Sequence, residues 1–82
     1  MNVHELKVEM RYWPYYKNGE KSFSIRNNDR NFAVGDTCVF KLFNNKTFIV
    51  NEIIVKKISF ILHDYETRFL KEGYCVLGLK DV

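Results

Sequence analysis

The chain carries 82 residues, of which 46% are hydrophobic and 16% aromatic, and 13 Lys+Arg against 10 Asp+Glu leave a net charge of +3. That length holds a single domain over residues 1–82, and the hydrophobic fraction excludes intrinsic disorder. Four glycines and one proline exclude collagen-like and low-complexity chains.

The first predicted element is a half-buried strand over residues 3–9, where Leu6 and Val8 alternate with Glu5, Lys7 and Glu9. His4 shares the apolar face of that strand and reads as a partly buried, hydrogen-bonded histidine rather than a catalyst. Pro14 suits the first turn of a short helix through Lys17, which Asn18-Gly19 ends. An Asn-Gly hairpin turn is the alternative, and Pro14 counts against a strand before it. Ser22 to Arg26 alternates again, with Phe23 and Ile25 on one face and Ser22, Ser24 and Arg26 on the other. The polar set is therefore expected to point away from the apolar layer.

Asn27 to Asn31 is turn chemistry, Phe32 and Val34 are expected anchors, and Gly35-Asp36 makes a further turn. A strand follows over Thr37–Phe43, then a tight turn at Asn44-Asn45. Thr47 to Leu62 reads as a long strand or bent pair with a bulge or bend near Asn51–Glu52. His63 to Glu72 reads as loop or short helix, and Tyr74 to Leu79 as the closing strand. The series predicts a mostly β (α+β) fold, a small antiparallel β-barrel with one or two short helices.

Phe48 to Leu62 is the longest apolar-rich stretch, and Asn51, Glu52, Lys56 and Lys57 interrupt it, so no membrane span is expected. The opening residues lack the apolar run of an export signal. Cys38 and Cys75 fall in strand-like apolar runs and read as small core residues, not as a disulfide framework. No CxxC or HxxxH spacing occurs, so neither metal nor cofactor is expected. The resulting picture is a reduced, cytoplasmic protein.

The excess charge is local. Residues 11–30 hold Arg11, Lys17, Lys21, Arg26 and Arg30 against Glu20 and Asp29, and so account for the whole net +3. Tyr12, Trp13, Tyr15, Tyr16 and Phe23 lie in the same window. Cations for phosphates and rings for bases are the ingredients of a nucleic-acid surface, although packed rings with solvated charges around them are the plainer use of that composition. Lys21, Ser24 and Arg26 project to one side. A serine beside a desolvated lysine can act as nucleophile and base, and Arg26 as a fixed fork for a phosphate or oxyanion; an ordinary solvated strand face is the alternative. Glu72, just before Gly73, is the acidic residue suited to act as base or lysine partner. Asp29 fits a turn, with Arg30 pairing either Asp29 or Asp36.

The run Asn18-Gly19-Glu20-Lys21-Ser22-Phe23-Ser24-Ile25-Arg26 resembles the G-x-K-x-x-E-x-R signature of the ASCH superfamily, whose members share a PUA-like β-barrel. The wider pattern is similar to DUF3850, a small bacterial and phage family within it. That likeness rests on His4-Glu5-Leu6-Lys7, Trp13-Pro14, Asn28-Asp29-Arg30-Asn31-Phe32, Val34-Gly35-Asp36 and Leu70 to Leu77, with residues 38–69 matching mainly in strand pattern. The resemblance implies a curved PUA-like barrel whose helix covers one end and whose signature lies in a cleft. It also implies an RNA-binding module in which Lys21 and Arg26 meet a phosphate or base. The signature's glutamate is Ser24 here, so that charge is missing. Some ASCH proteins deacetylate acetylcytidine with a lysine, a hydroxyl residue three positions later and a more distant glutamate. Lys21 and Ser24 match the first two, and Glu72 is the candidate third.

The leading expectation is a module that binds RNA or a nucleotide-like ligand through Lys21, Arg26, Arg30 and an exposed ring, Trp13 or Tyr15. The alternative is a small amidohydrolase using Lys21, Ser24 and Glu72. A protein-binding surface on the aromatic helix is the third reading. The first two require Lys21, Ser24 and Arg26 to gather in a recess.

Overall fold

A computed structural model describes residues 1–43 and 48–82. The alternating segments form strands β1 (Val3–Glu9), β2 (Phe23–Asn27), β3 (Thr37–Phe43), β4 (Phe48–His63) and β5 (Tyr74–Asp81). Helix α1 (Trp13–Lys17) links β1 to β2, and a 3-10 turn at Asp64–Glu66 precedes β5. The strands make one sheet in the order β1-β3-β4-β5-β2. Every pairing is antiparallel except β1 with β3, which runs parallel from Val3 opposite Thr37 to Glu9 opposite Phe43. A parallel neighbour needs a long crossover, and α1, β2 and the loop after it supply one.

Laid flat, the two outermost strands would stand four spacings apart, roughly 19 Å. Instead Nη2 of Arg26 on β2 donates to the Lys7 carbonyl of β1 at 2.9 Å. The sheet therefore curls until its edges face one another across a seam, giving a small, mostly β barrel left open along one side. Its interior takes Leu6 and Val8 from β1, Phe40 and Leu42 from β3, Ile58 and Ile61 from β4, and Leu77 and Leu79 from β5. Burying one such side chain contributes about 1.5–3 kcal/mol, which is how a sheet of this size forms without a cross-link. Cys38 and Cys75 are both buried and free. Burial pushes the Cys38 thiol up to about 11 and raises that of Cys75 as well.

At five residues, α1 is too short to persist on propensity alone. Packing holds it: Trp13 and Tyr16, three apart, turn inward, and the Tyr16 ring sits 4.9 Å from that of Phe40. Pro14 occupies the first turn, where a missing N–H costs nothing, and Gly19 leaves the helix at φ 82, in the left-handed region. The start of β1 is pinned differently. His4 Nε2 lies 2.9 Å from Oδ2 of the buried Asp36, which also accepts the backbone N–H groups of Asn2 and Ala33, both at 3.1 Å. The His4 contact, then the two N–H groups, hold the Asp36 carboxyl below its ordinary range despite burial.

Two expectations need correcting. Phe23 and Ile25 face outward, 45% and 57% exposed, while Ser24 is only 2% exposed. The inner side of β2 lies over Tyr16 and the seam, where Ser24 finds hydrogen-bond donors, so the polar face turns in. Val34 is exposed, and only Phe32 anchors, its ring edge-on to His4 at 4.7 Å. Of the two partners open to Arg30, Asp36 is taken by His4, and Asp29 is the one that Arg30 meets, at 3.9 Å.

β4 is one continuous strand with two irregularities. One falls between the pairs Lys41–Ile53 and Phe43–Phe48, an interval that contains Asn51–Glu52. The other makes Ser59 an extra residue opposite β5, between Ile58 and Phe60. The turn expected at Asn44-Asn45 lies outside the described residues.

Candidate functional site

The seam opens into a cavity of about 350 Å³ lined by Lys7, Val8 and Glu9 of β1, Tyr12 and Tyr16 around α1, and Lys21 through Arg26 with the exception of Ser22. It exists because strand pairing stops there. Alternation along β1 turns the carbonyls of Glu5 and Lys7 away from β3, and no strand among the described residues meets them. Two guanidinium groups do: Arg26 Nη2 donates to Lys7 O at 2.9 Å and Arg30 Nη1 to Glu5 O at 2.7 Å.

On the cavity wall a chain of hydrogen bonds joins four side chains. Lys21 Nζ donates to Tyr16 Oη at 3.0 Å, Tyr16 Oη donates to Ser24 Oγ at 3.1 Å, and Arg26 Nε donates to the same Oγ at 2.8 Å. Lys21 also donates to Phe23 O at 3.2 Å. Its ammonium lies 4.6 Å from the Tyr16 ring centre, 4.7 Å from that of Phe23 and 5.4 Å from that of Tyr12, an aromatic enclosure suited to a cation. Burial opposes ionisation of the Tyr16 phenol. Hydrogen bonds with Ser24 and Lys21, together with the charges of Lys21 and Arg26, outweigh it and bring the phenol below 10.0.

The inventory of this wall is lopsided. Arg26 spends two of its five N–H donors and Lys21 two of its three, and the Ser24 hydroxyl accepts twice while its own proton has no acceptor among the described residues. The single lining carboxylate, Glu9, is engaged by Arg11 at 2.9 Å. Lys7 turns its ammonium toward the Phe43 ring, 5.1 Å away. A recess rich in donors and poor in acceptors is complementary to an oxyanion.

Lys21, Ser24 and Arg26 thus share one cavity. Glu72 does not join them: it is exposed in the turn before β5, whereas Ser24 pairs with Leu77, about 10 Å of strand beyond Tyr74. Trp13 is buried in the core, so it has no free face for a base; its Nε1 has no hydrogen-bond partner among the described residues. Tyr15 is exposed but does not line the cavity, where the rim rings are Tyr12 and Phe23. Arg30 serves the β1 edge, outside the cavity.

The profile of DUF3850, a domain of unknown function, matches residues 3–79. The chain belongs to the DUF3850 family. Among curated proteins, none matches it. In this DUF3850 chain the residue that sequence reasoning missed is Tyr16, which stands between Lys21 and Ser24. The available signal was its spacing: three residues after Trp13 on a one-turn helix, it had to share the inward face. The aromatic helix offers little to a protein partner, because Trp13 and Tyr16 are both buried. No helix of the DUF3850 chain is long and apolar enough to cross a membrane among the described residues.

Proposed function

We propose that this chain is an RNA-binding module, in the manner of the ASCH superfamily and its PUA-like barrels, working in the reducing cytoplasm. The observation that carries this reading is the donor-rich cavity in the seam. The uncommitted N–H groups of Arg26 and Lys21 and the Ser24 hydroxyl receive a phosphate, and the exposed rings of Tyr12 and Phe23 at the rim stack an unpaired base. The volume, about 350 Å³, falls at the lower end of small-ligand sites, suited to one nucleotide unit.

Fluorescence anisotropy with labelled single-stranded RNA at low ionic strength tests it. Binding should weaken steeply with salt. Arg26→Ala should reduce affinity and make the slope of log K against log salt shallower by about 0.7 for each phosphate that is no longer neutralised. Lys21→Gln should act in the same direction, and circular dichroism of both variants controls for folding. Salt-insensitive binding, or none at low ionic strength, would overturn the reading.

A second reading draws on the hydrogen-bond chain itself. Ser24 linked through Tyr16 to Lys21 serves hydroxyl attack on an amide carbonyl, as in deacetylation of acetylcytidine, when the donor order is reversed. The Ser24 oxygen then bonds to the carbonyl carbon while its proton passes through Tyr16 Oη to the Lys21 amine and from there to the leaving amine. It has to work without Glu72. Acetate release that persists undiminished in Ser24→Ala removes it.

A further inference from the structure

Lys21 lines a second cavity as well. This one, about 300 Å³, lies between the segment Gly19–Ser22 and the far end of β5, and also takes Lys56, Lys80 and Asp81 into its wall. Backbone bonds fix its shape: Lys21 N donates to Tyr15 O at 2.9 Å, and Leu79 N donates to Ser22 O at 2.9 Å, which sews the segment onto β5.

The charges around it are unbalanced. Lys56 and Asp81 face each other across the β4–β5 ladder and pair at 2.5 Å, with the lysine side chain mostly buried. The contact holds the Asp81 carboxyl below its ordinary range. One register step away, Lys57, which does not line the cavity, stands directly opposite Lys80, which does. Like charges at opposed ladder positions are destabilising, and neither lysine has an ion pair among the described residues. In the cavity wall the one carboxylate, Asp81, is taken by Lys56, and the charges of Lys21 and Lys80 are left without a counter-charge there among the described residues. A bound anion relieves that excess.

Lys21 borders both cavities, its ammonium held on the first by Tyr16 and Phe23 and its residue forming part of the wall of the second. We propose that the second cavity is a phosphate subsite for the neighbouring phosphate of the same strand, so that the ligand is an oligonucleotide rather than a free mononucleotide. The inference rests on the RNA reading above and adds to it a direction of travel: from the seam, past Lys21, to the end of β5.

The experiment compares uridine monophosphate with a short single-stranded oligouridylate at low ionic strength. Lys80→Gln and Lys56→Gln are set against the unsubstituted chain; Lys80 is exposed, so its replacement leaves the fold intact. Each substitution should lower oligouridylate affinity about five- to tenfold and flatten its salt slope by about 0.7, with monophosphate affinity unchanged. Equal weakening for both ligands, or none for the oligomer in either variant, would overturn the subsite. The seam reading would then stand on its own test, Arg26→Ala weakening both ligands. Failure of the unsubstituted chain to bind either ligand would sink both ideas together.

Discussion

Replacing Tyr16 with phenylalanine removes a single oxygen and leaves the ring that packs against Phe40 and lies under the Lys21 ammonium. That oxygen makes two hydrogen bonds, accepting from Lys21 Nζ at 3.0 Å and donating to Ser24 Oγ at 3.1 Å. A neutral hydrogen bond contributes about 0.5–1.5 kcal/mol net and one to a charged group about 1.5–3 kcal/mol. Both partners keep a second hydrogen bond, Lys21 with Phe23 O and Ser24 with Arg26 Nε, so neither is stranded. The expected destabilisation is therefore at the lower end of the sum, about 2 kcal/mol. Urea unfolding should show it as a lower midpoint at unchanged slope.

The same variant has a pH signature. The Tyr16 phenol is held below 10.0 in the fold, so its ionisation contributes stability above the unfolded value, and that contribution fades as pH falls through the folded value. The deficit of Tyr16→Phe should accordingly be constant near neutrality and widen as pH rises toward 10, and the phenolate absorbance of the folded chain should appear at lower pH than that of the unfolded chain. A destabilisation under about 0.5 kcal/mol, or a deficit independent of pH, would show that the four side chains are neighbours and not a coupled network.

Asp36→Asn disturbs the buried carboxylate that His4 and the N–H groups of Asn2 and Ala33 contact, and should cost about 1.5–3 kcal/mol in urea unfolding. Since the Asp36 carboxyl is depressed, its contribution is present above the unfolded value near 3.8 and fades as pH falls through the folded one, so the unsubstituted chain should weaken on acidification below that point. The asparagine variant should lack that component of the acid transition; an unaltered profile would place the acid sensitivity elsewhere. Cys38 and Cys75, buried and with raised thiols, should react with a thiol reagent only as fast as the chain unfolds. Rapid native-state labelling of either would contradict their place in the core.

The strands were legible wherever burial alternates on a single register. His4, Leu6 and Val8 already mark the inward face of β1, and Thr37–Phe43 becomes β3 without adjustment. β2 shows where that logic stops. Its alternation is as clean, but period two states only that Ser24 and Arg26 oppose Phe23 and Ile25; which pair turns inward depends on what the curled sheet brings opposite. What it brings is Tyr16 from the preceding helix and the unpaired edge of β1, both products of long-range closure. The convergence of Lys21, Ser24 and Arg26 was legible from spacing, whereas the distance of Glu72 from them was not, because the order β4-β5-β2 decides which end of β2 the last turn adjoins. Trp13 shows that an aromatic-rich basic segment conceals two populations of ring: Trp13 and Tyr16 pack, while Tyr12 and Tyr15 remain accessible.

The gap between β1 and β2 bears on how such a domain diversifies. The recess lies where the ladder is interrupted, so the side chains at positions 21, 24 and 26 set no strand register, and backbone pairing of β2 with β5 proceeds regardless of what they are. A substitution at position 24 changes the chemistry of the recess without removing a rung of the β2–β5 ladder. Backbone pairing sets the outline of the barrel, and the side chains along this one gap set what the opening presents to solvent.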